Sequence, residues 1–159
     1  METSTTTNYD IVTPLSRTET NDCVVRSFMS AFGLPYAKSH GIVEEYLNRN
    51  NRDGVQGMSL KLANGDVLKA LNNKGLIIKR HNVLYTRKYD GRTLEMNVRR
   101  FCKTYPKGTF IIANRTHAWT IKDGEVHDWS TQKEQLQRKC LFAWEVKNNI
   151  QYELDLKFD

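Results

Sequence analysis

The feature that most constrains the fold of this chain is the dipeptide Asp123-Gly124, which lies between two short segments of alternating polar and apolar residues. Asp-Gly in this setting is typical of a β-hairpin with a two-residue loop, because both loop residues must adopt positive φ. The segments 117–122 and 125–129 are therefore predicted to be antiparallel strands. An isolated hairpin is only marginally stable in water, so other parts of the chain have to pack on it.

Helical patterns dominate the first two thirds of the chain and strand patterns the last third. The predicted helices cover 22–32, about 36–48, about 66–73, and a segment that Thr93 caps and that continues to Tyr105. The predicted strands outside the hairpin cover 76–79, 109–113, 141–146 and 150–156, and the polar segments 50–54 and 85–92 are predicted to be loops, the second a candidate flap. Helices followed by an antiparallel sheet indicate an α+β fold.

The length of 159 residues suits one domain, large enough to bury roughly two thirds of its unfolded surface. We expect a flexible Thr/Ser/Asn-rich N-terminus over 1–13 and a single domain over 14–159. The sequence has no apolar run of membrane-spanning length and no secretory signal, so the prediction is a cytoplasmic protein without a membrane partner.

The cysteine pattern is that of free thiols. Cys23, Cys102 and Cys140 are odd in number, widely separated and free of any CxxC pair, which argues against a disulfide framework and a zinc–thiolate site. Cys102 and Cys140 lie in apolar surroundings, where packing is the usual role of a free cysteine. Cys23 differs because it is predicted to lie in the first turn of a helix. There the unpaired N–H groups and the helix dipole favour the thiolate, the reactive form of the side chain. Simple packing is the alternative.

The alternation of side chains along the hairpin groups its residues by face. One face carries His117, Trp119, Ile121, Val126 and Asp128. The other carries Ala118, Thr120, Lys122, Glu125, His127 and Trp129. The first face is apolar except for His117 and Asp128, which are diagonal neighbours within reach of each other, so we expect the Cys23 helix to pack there.

A buried carboxylate needs a partner, and His117 is the available one, so Asp128 is predicted to orient the imidazole. A register shifted by one residue places His127 on that face instead. A metal site built from His117, His127 and Asp128 is not favoured, because adjacent strand residues point to opposite faces. We expect no metal and no cofactor.

The sequence Asn-Asp-Cys-Val-Val-Arg-Ser over 21–27, with the strand, histidine and aspartate between Gly108 and Asp128, resembles the papain-like cysteine peptidases. The resemblance is to small bacterial and phage-encoded members such as bacteriocin-processing peptidases. It implies N-terminal helices packed on a C-terminal antiparallel sheet. It further implies Cys23 as nucleophile, His117 as general base and acid, and Asp128 as the orienting residue.

The sequence departs from the family pattern on the oxyanion side. Papain-like enzymes usually have a glutamine a few residues before the cysteine, and the segment 16–21 has none. We expect Asn21 and the Cys23 backbone N–H to replace it, since losing one oxyanion donor typically lowers the rate about 100- to 1,000-fold. Trp119, beside His117, is a candidate substrate contact.

The resulting functional hypothesis is a cysteine hydrolase, phage-encoded and acting in the host cytoplasm, that cleaves a peptide, isopeptide or related amide bond of a protein or peptide through a thioester. The alternative is a non-catalytic binding or inhibitor protein on the same scaffold. Acyl transfer to an amine is a further option that the sequence does not separate from hydrolysis. A cell-wall amidase is less favoured, because no wall-binding repeat is present.

The chain carries a net charge of +6. Its basic residues are concentrated at Lys79-Arg80, Arg87-Lys88, Arg92, Arg99-Arg100, Lys103 and Lys107. No nucleic-acid-binding motif accompanies them, so nucleic acid is not the expected partner. A solvated surface is the first interpretation, and attraction to an acidic host protein is the alternative.

Overall fold

The computed structural model describes residues 23–47, 62–115, 117–127 and 134–148. In chain order the elements are α1 (Cys23–Phe32), α2 (Tyr36–Leu47), α3 (Gly65–Asn73), β1 (Leu76–His81), β2 (Leu84–Thr86), β3 (Thr93–Glu95), α4 (Val98–Thr104), β4 (Thr109–Ala113), β5 (Ala118–Lys122), β6 (Glu125–His127), α5 (Glu134–Gln137) and β7 (Phe142–Asn148). The predicted α+β class is confirmed. No helix in these stretches has the length and apolar character needed to cross a bilayer.

Five strands form one antiparallel sheet in the order β1-β7-β4-β5-β6, and β2 and β3 form a separate hairpin. β1 is an edge strand, and two consecutive residues on it, Lys79 and Arg80, are exposed. Sequence-distant strands are therefore neighbours, with β7 inserted between β1 and β4.

The β5–β6 hairpin has the predicted register, with Thr120 opposite His127 and Lys122 opposite Glu125. The loop residues Asp123 and Gly124 have φ of 47° and 79°, as the two-residue loop requires. Asp123 also anchors the loop to the start of β4. Its backbone N–H donates to the Gly108 carbonyl at 2.8 Å, and its Oδ1 accepts from the Gly108 N–H at 2.9 Å.

One face of the sheet is covered by α1, α2 and α3. Their apolar side chains form a core cluster with Leu76, Ile78, Ile111, Ala113, Ala118, Trp144 and Val146 of the sheet. The Thr120 hydroxyl donates to the Ser27 carbonyl of α1 at 2.9 Å, and the Ser39 hydroxyl of α2 donates to the Val25 carbonyl at 2.7 Å. These buried hydrogen bonds fix α1 between α2 and β5.

The other face is covered by α4 and the β2–β3 hairpin. The second core cluster consists of Val83, Met96, Val98, Phe101, Phe110, Ile112, Trp119, Ile121, Cys140 and Ala143. The His81 ring packs edge-on against Tyr105 and Phe110, with ring centroids 4.4 Å and 4.9 Å away. The sheet is thus the middle layer of three.

The prediction that Thr93 caps the fourth helix is wrong. Thr93 lies in β3, opposite Thr86 of β2, so the expected loop over 85–92 is the distal part of a β-hairpin. Helix α4 begins at Val98 instead, and Asn97 caps it by accepting the Arg100 N–H at 2.8 Å. The Met96 N–H donates to the Val83 carbonyl at 2.7 Å, so the pairing of the two chain segments continues beyond β2 and β3. The helix therefore begins after Met96. The predicted strand over 150–156 and the loop over 50–54 lie outside the described residues.

Candidate functional site

Cys23 occupies the first residue of α1, as predicted. The nine residues that follow it in the helix are all buried, whereas Cys23 is half-buried and packs against the edge of the first core cluster. Its carbonyl accepts a hydrogen bond of 2.7 Å from the Ser27 hydroxyl, which ties the first turn together. Cys23 therefore belongs to the first turn of a helix that the core holds in place, and the first N–H groups of a helix lack partners within it.

His117 lies directly before β5, at the end of the sheet. Its backbone N–H donates to Asn114 Oδ1 at 2.8 Å, and the Asn114 N–H donates to the His117 carbonyl at 3.0 Å, which closes the β4–β5 connection. The imidazole stacks on the Trp119 ring, with centroids 5.8 Å apart and an interplanar angle of 23°. This contact matches the predicted grouping of His117 with Trp119.

The expectation that the Cys23 helix covers the His117 and Trp119 face is wrong. Helix α1 packs on the face of Ala118 and Thr120, while Trp119 belongs to the cluster on the opposite face. Short side chains on β5 let α1 approach closely, and the Thr120 hydroxyl finds an acceptor in the helix. The larger Trp119 side chain lies in the space below α4. The structure therefore places the Cys23 thiol and the His117 ring on different sides of the sheet.

Trp119 is buried, with 1% of its surface exposed. The Arg138 guanidinium lies over its ring, 5.1 Å from the centroid. The indole N–H is buried and has no hydrogen-bond acceptor among the residues that the structure describes. A substrate has no route to this ring in the packed protein, so Trp119 is a core residue and not the surface contact that its neighbour His117 suggested.

Two predicted site residues, Asp128 and Asn21, lie outside the described residues. The orienting role of Asp128 and the oxyanion role of Asn21 stay predictions.

His127 is the histidine that β6 carries on the α1 side of the sheet, opposite Thr120. Its side chain is half-buried, and among the described residues its Nδ1 has no partner. Burial, with the nearby Lys122 ammonium as a second cause, lowers the pKa of His127, and Glu125 opposes this. The imidazole is thus held in its neutral form. The sequence did not indicate the burial of His127, because it did not show that Thr120, its opposite residue, points towards α1.

The other two cysteines are unsuited to nucleophilic chemistry. Burial raises the pKa of Cys102 to about 11, and burial with the neighbouring Cys102 raises that of Cys140 to about 12. Both thiols remain protonated at neutral pH. All three cysteines are free, and the described stretches contain no group of three His, Cys, Asp or Glu side chains that could hold a metal ion.

The fold and the site thus define an α+β protein with a half-exposed thiol at the start of a buried helix. Comparison with known protein families, with curated proteins and with solved structures returns no match for this chain.

Proposed function

We propose that this protein is a cysteine-nucleophile hydrolase of papain-like architecture that cleaves a peptide, isopeptide or related amide bond. The observation that supports it is the position of Cys23, half-buried at the first residue of a helix whose other residues are buried. That helix packs against β5, the strand that His117 immediately precedes. A reactive thiol requires access together with a fixed helix start, and Cys23 has both.

The proposed reaction has two steps. His117 takes the proton of the Cys23 thiol, the thiolate attacks the amide carbonyl carbon, and the oxyanion accepts hydrogen bonds from the Asn21 side chain and the Cys23 N–H. The C–N bond then breaks, and His117 protonates the leaving amine, which leaves a thioester. In the second step His117 takes a proton from water and the resulting hydroxide attacks the thioester. The C–S bond breaks, the acid is released, and His117 returns its proton to the Cys23 sulfur.

The proposal requires the His117 imidazole to leave the Trp119 ring and turn around the end of the sheet towards α1. This movement is supported by the position of His117, which precedes β5 where the β4–β5 ladder ends at the pair Ala113 and Ala118. Rotation of its side chain breaks no backbone hydrogen bond of the sheet. The stacked ring and the turned ring are then the resting and the reactive positions of one residue.

The test is selective alkylation followed by a search for products. At about neutral pH, iodoacetamide should modify Cys23 and leave Cys102 and Cys140 unmodified, because burial shields those two thiols and raises their pKa. Mass spectrometry of the digested protein gives the modified site, and the Cys102→Ser/Cys140→Ser variant is the matched control. His117→Ala should slow the alkylation of Cys23 several-fold, whereas His127→Ala should not. Equal slowing by both variants contradicts the assigned base.

The substrate is sought by comparing newly formed protein N-termini in a bacterial lysate treated with the wild-type protein or with Cys23→Ala. We expect termini that appear only with the wild-type protein. If the two samples are indistinguishable while Cys23 still reacts with iodoacetamide, the hydrolase proposal fails.

A non-catalytic role on the same scaffold is the second candidate. The specific observation in its favour is the separation of Cys23 and His117 by the sheet. Failure of His117→Ala to affect either the alkylation rate or the product termini supports this candidate.

A further inference from the structure

The positive charge of the chain comes from one segment. Residues 76–107 contain nine Lys and Arg and two Asp and Glu, a net charge of +7, while the whole chain has +6 and the remainder therefore −1. This segment forms β1, the β2–β3 hairpin and α4. The charge is concentrated on the side of the sheet that α1 does not cover.

The tip of the β2–β3 hairpin is held rigidly. The Arg87 N–H donates to the Arg92 carbonyl at 2.8 Å, and the Gly91 N–H donates to the Arg87 carbonyl at 2.8 Å. The Arg87 guanidinium donates two hydrogen bonds to the Asp90 carboxylate, 3.2 Å and 2.6 Å long, and this contact lowers the pKa of Asp90. A rigid tip presents its outer side chains at little entropic cost to binding.

Those outer side chains are cationic and aromatic. Lys88 and Arg92 are exposed, and Tyr89 between them is 80% exposed, the largest exposed fraction of any large hydrophobic residue that the structure describes. The Arg87 guanidinium lies 4.5 Å from the centroid of the Tyr89 ring, which supports the ring from one side. Leu84, at the start of β2, adds a second exposed apolar side chain, 43% exposed.

Helix α4 continues this surface. Arg99, Arg100 and Lys103 are exposed, and the two arginines lie four and three residues before Lys103, so all three lie on one side of the helix. The first turn of α4 has no acidic residue, and cations near a helix start destabilise the helix. The Arg100 guanidinium lies over the Tyr85 ring of β2, 3.9 Å from its centroid, which joins helix and hairpin. Arg99 and Arg100 therefore do not stabilise the helix that carries them, whereas Lys103 lies in its last turn, where a cation is favourable.

We propose that this basic surface, formed by Lys88, Tyr89, Arg92, Arg99, Arg100 and Lys103, binds an acidic polypeptide segment that carries apolar anchor side chains. Carboxylates of the partner would pair with the five cations, and an anchor would pack on Tyr89 and Leu84. Tyr and Arg are the residues that most often dominate the energetics of protein interfaces.

The state of the aromatic rings favours a polypeptide over a nucleic acid. Single-stranded nucleic acids bind by stacking successive bases on open ring faces. Here Arg87 covers one face of Tyr89, and Arg100 covers Tyr85, which is half-buried. The Tyr89 ring is left with one open face, while carboxylates find several exposed cations around it.

This binding is independent of the proposed hydrolase. Cys23 packs with the cluster on the α1 side of the sheet, and Tyr85 packs with the cluster on the other side. Cys23→Ala should therefore leave the binding constant unchanged, and variants of the basic surface should leave the alkylation of Cys23 unchanged. Each proposal can fail without the other.

The experiment measures fluorescence anisotropy of a fluorescein-labelled peptide of repeated Glu-Glu-Leu triplets on titration with the full-length protein at low salt. The Lys88→Glu/Arg92→Glu variant should raise Kd by about tenfold or more, because two attractive contacts become repulsive. Tyr89→Ala should raise it severalfold by removing the anchor contact. The matched control is Lys69→Glu/Lys74→Glu, which makes the same change in net charge at two exposed positions on or beside α3. It should change Kd less than twofold.

The probes decide between the partners. A peptide of repeated Gln-Gln-Leu triplets should not bind, because it lacks the charges. Tighter binding of a labelled oligo-dT of equal length, with the same sensitivity to the hairpin variants, overturns the proposal in favour of nucleic acid. Equal weakening by both double variants overturns it as an effect of net charge alone, and so does the absence of peptide binding at low salt.

Discussion

The two faces of the five-stranded sheet differ in what covers them. Among the described residues, the α1 face has a cluster of 20 buried apolar residues and the α4 face a cluster of 10. The larger cluster lies under three helices, and the Cys23 thiol lies at the start of the first of them. The smaller cluster lies under a seven-residue helix and a short hairpin whose outer sides are cationic. The elements on the α1 face mainly bury apolar side chains, whereas those on the α4 face also present cationic side chains to solvent.

The largest difference in stability between the two faces should come from removing a core side chain of α1. Phe28 is fully buried, and Phe28→Ala should lower the free energy of unfolding by about 3–5 kcal/mol, because it removes a ring from packed surroundings. Phe101→Ala makes the matched change in α4. We expect a loss near the lower end of that range, since the neighbouring His81 and Phe110 rings can close in. Urea unfolding measures both, and a greater loss for Phe101→Ala would reverse the ranking of the faces.

A smaller effect should come from the hydrogen bond between β5 and α1. Thr120→Val keeps the shape of the side chain and removes the donor to the Ser27 carbonyl, at a cost of about 1 kcal/mol in the free energy of unfolding. Thr104→Val in α4 is the control, because its hydroxyl donates to the Arg100 carbonyl at an exposed position. We expect the control to change stability by less than about 0.5 kcal/mol. Equal costs for the two variants would contradict the packing of α1 against Thr120.

The smallest effect should be a pH dependence located on the α1 face. The pKa of His127 is lowered in the folded protein, so the unfolded chain takes up the proton first as the pH falls through about 6.5. Stability is therefore fully present above that pH and declines below it. His127→Gln should make the free energy of unfolding less dependent on pH between about 6.5 and 5. Identical slopes for the variant and the wild-type protein would show that burial does not perturb this imidazole.

Local sequence signals predicted the β5–β6 hairpin, whereas long-range packing determined which face of β5 contacts helix α1. Asp123-Gly124 determines the loop conformation through φ alone, so the register of Thr120 with His127 could be read from the sequence. Both faces of β5 are buried, however, so polarity did not reveal that Thr120 points towards a helix. Helix α1 could pack on the face of Ala118 or on the face of Trp119. It packs on the first, because the short side chains there let the helix approach closely.

The start of α4 was likewise determined by long-range pairing that local sequence signals do not reveal. Thr93 is a good helix cap by type, but pairing with Thr86 across a tight loop places it in a strand, and Asn97 caps the helix instead. Three-residue strands are too short for alternation to show. Helices α1, α2 and α3 were predicted to within about two residues of their observed bounds, because each carries a periodic apolar stripe and a clear end signal.

The exposed pair Lys79 and Arg80 has a consequence for the behaviour of the protein in concentrated solution. An edge strand such as β1 offers one row of backbone groups to which another chain can add, and charged residues on the edge discourage that addition. Consecutive strand residues point to opposite faces, so the two cations flank the edge from both sides, with the Arg80 guanidinium held over the Phe142 ring at 5.1 Å. Like charges on two molecules repel before their strands can pair. These two side chains thus disfavour the addition of a further strand at the β1 edge.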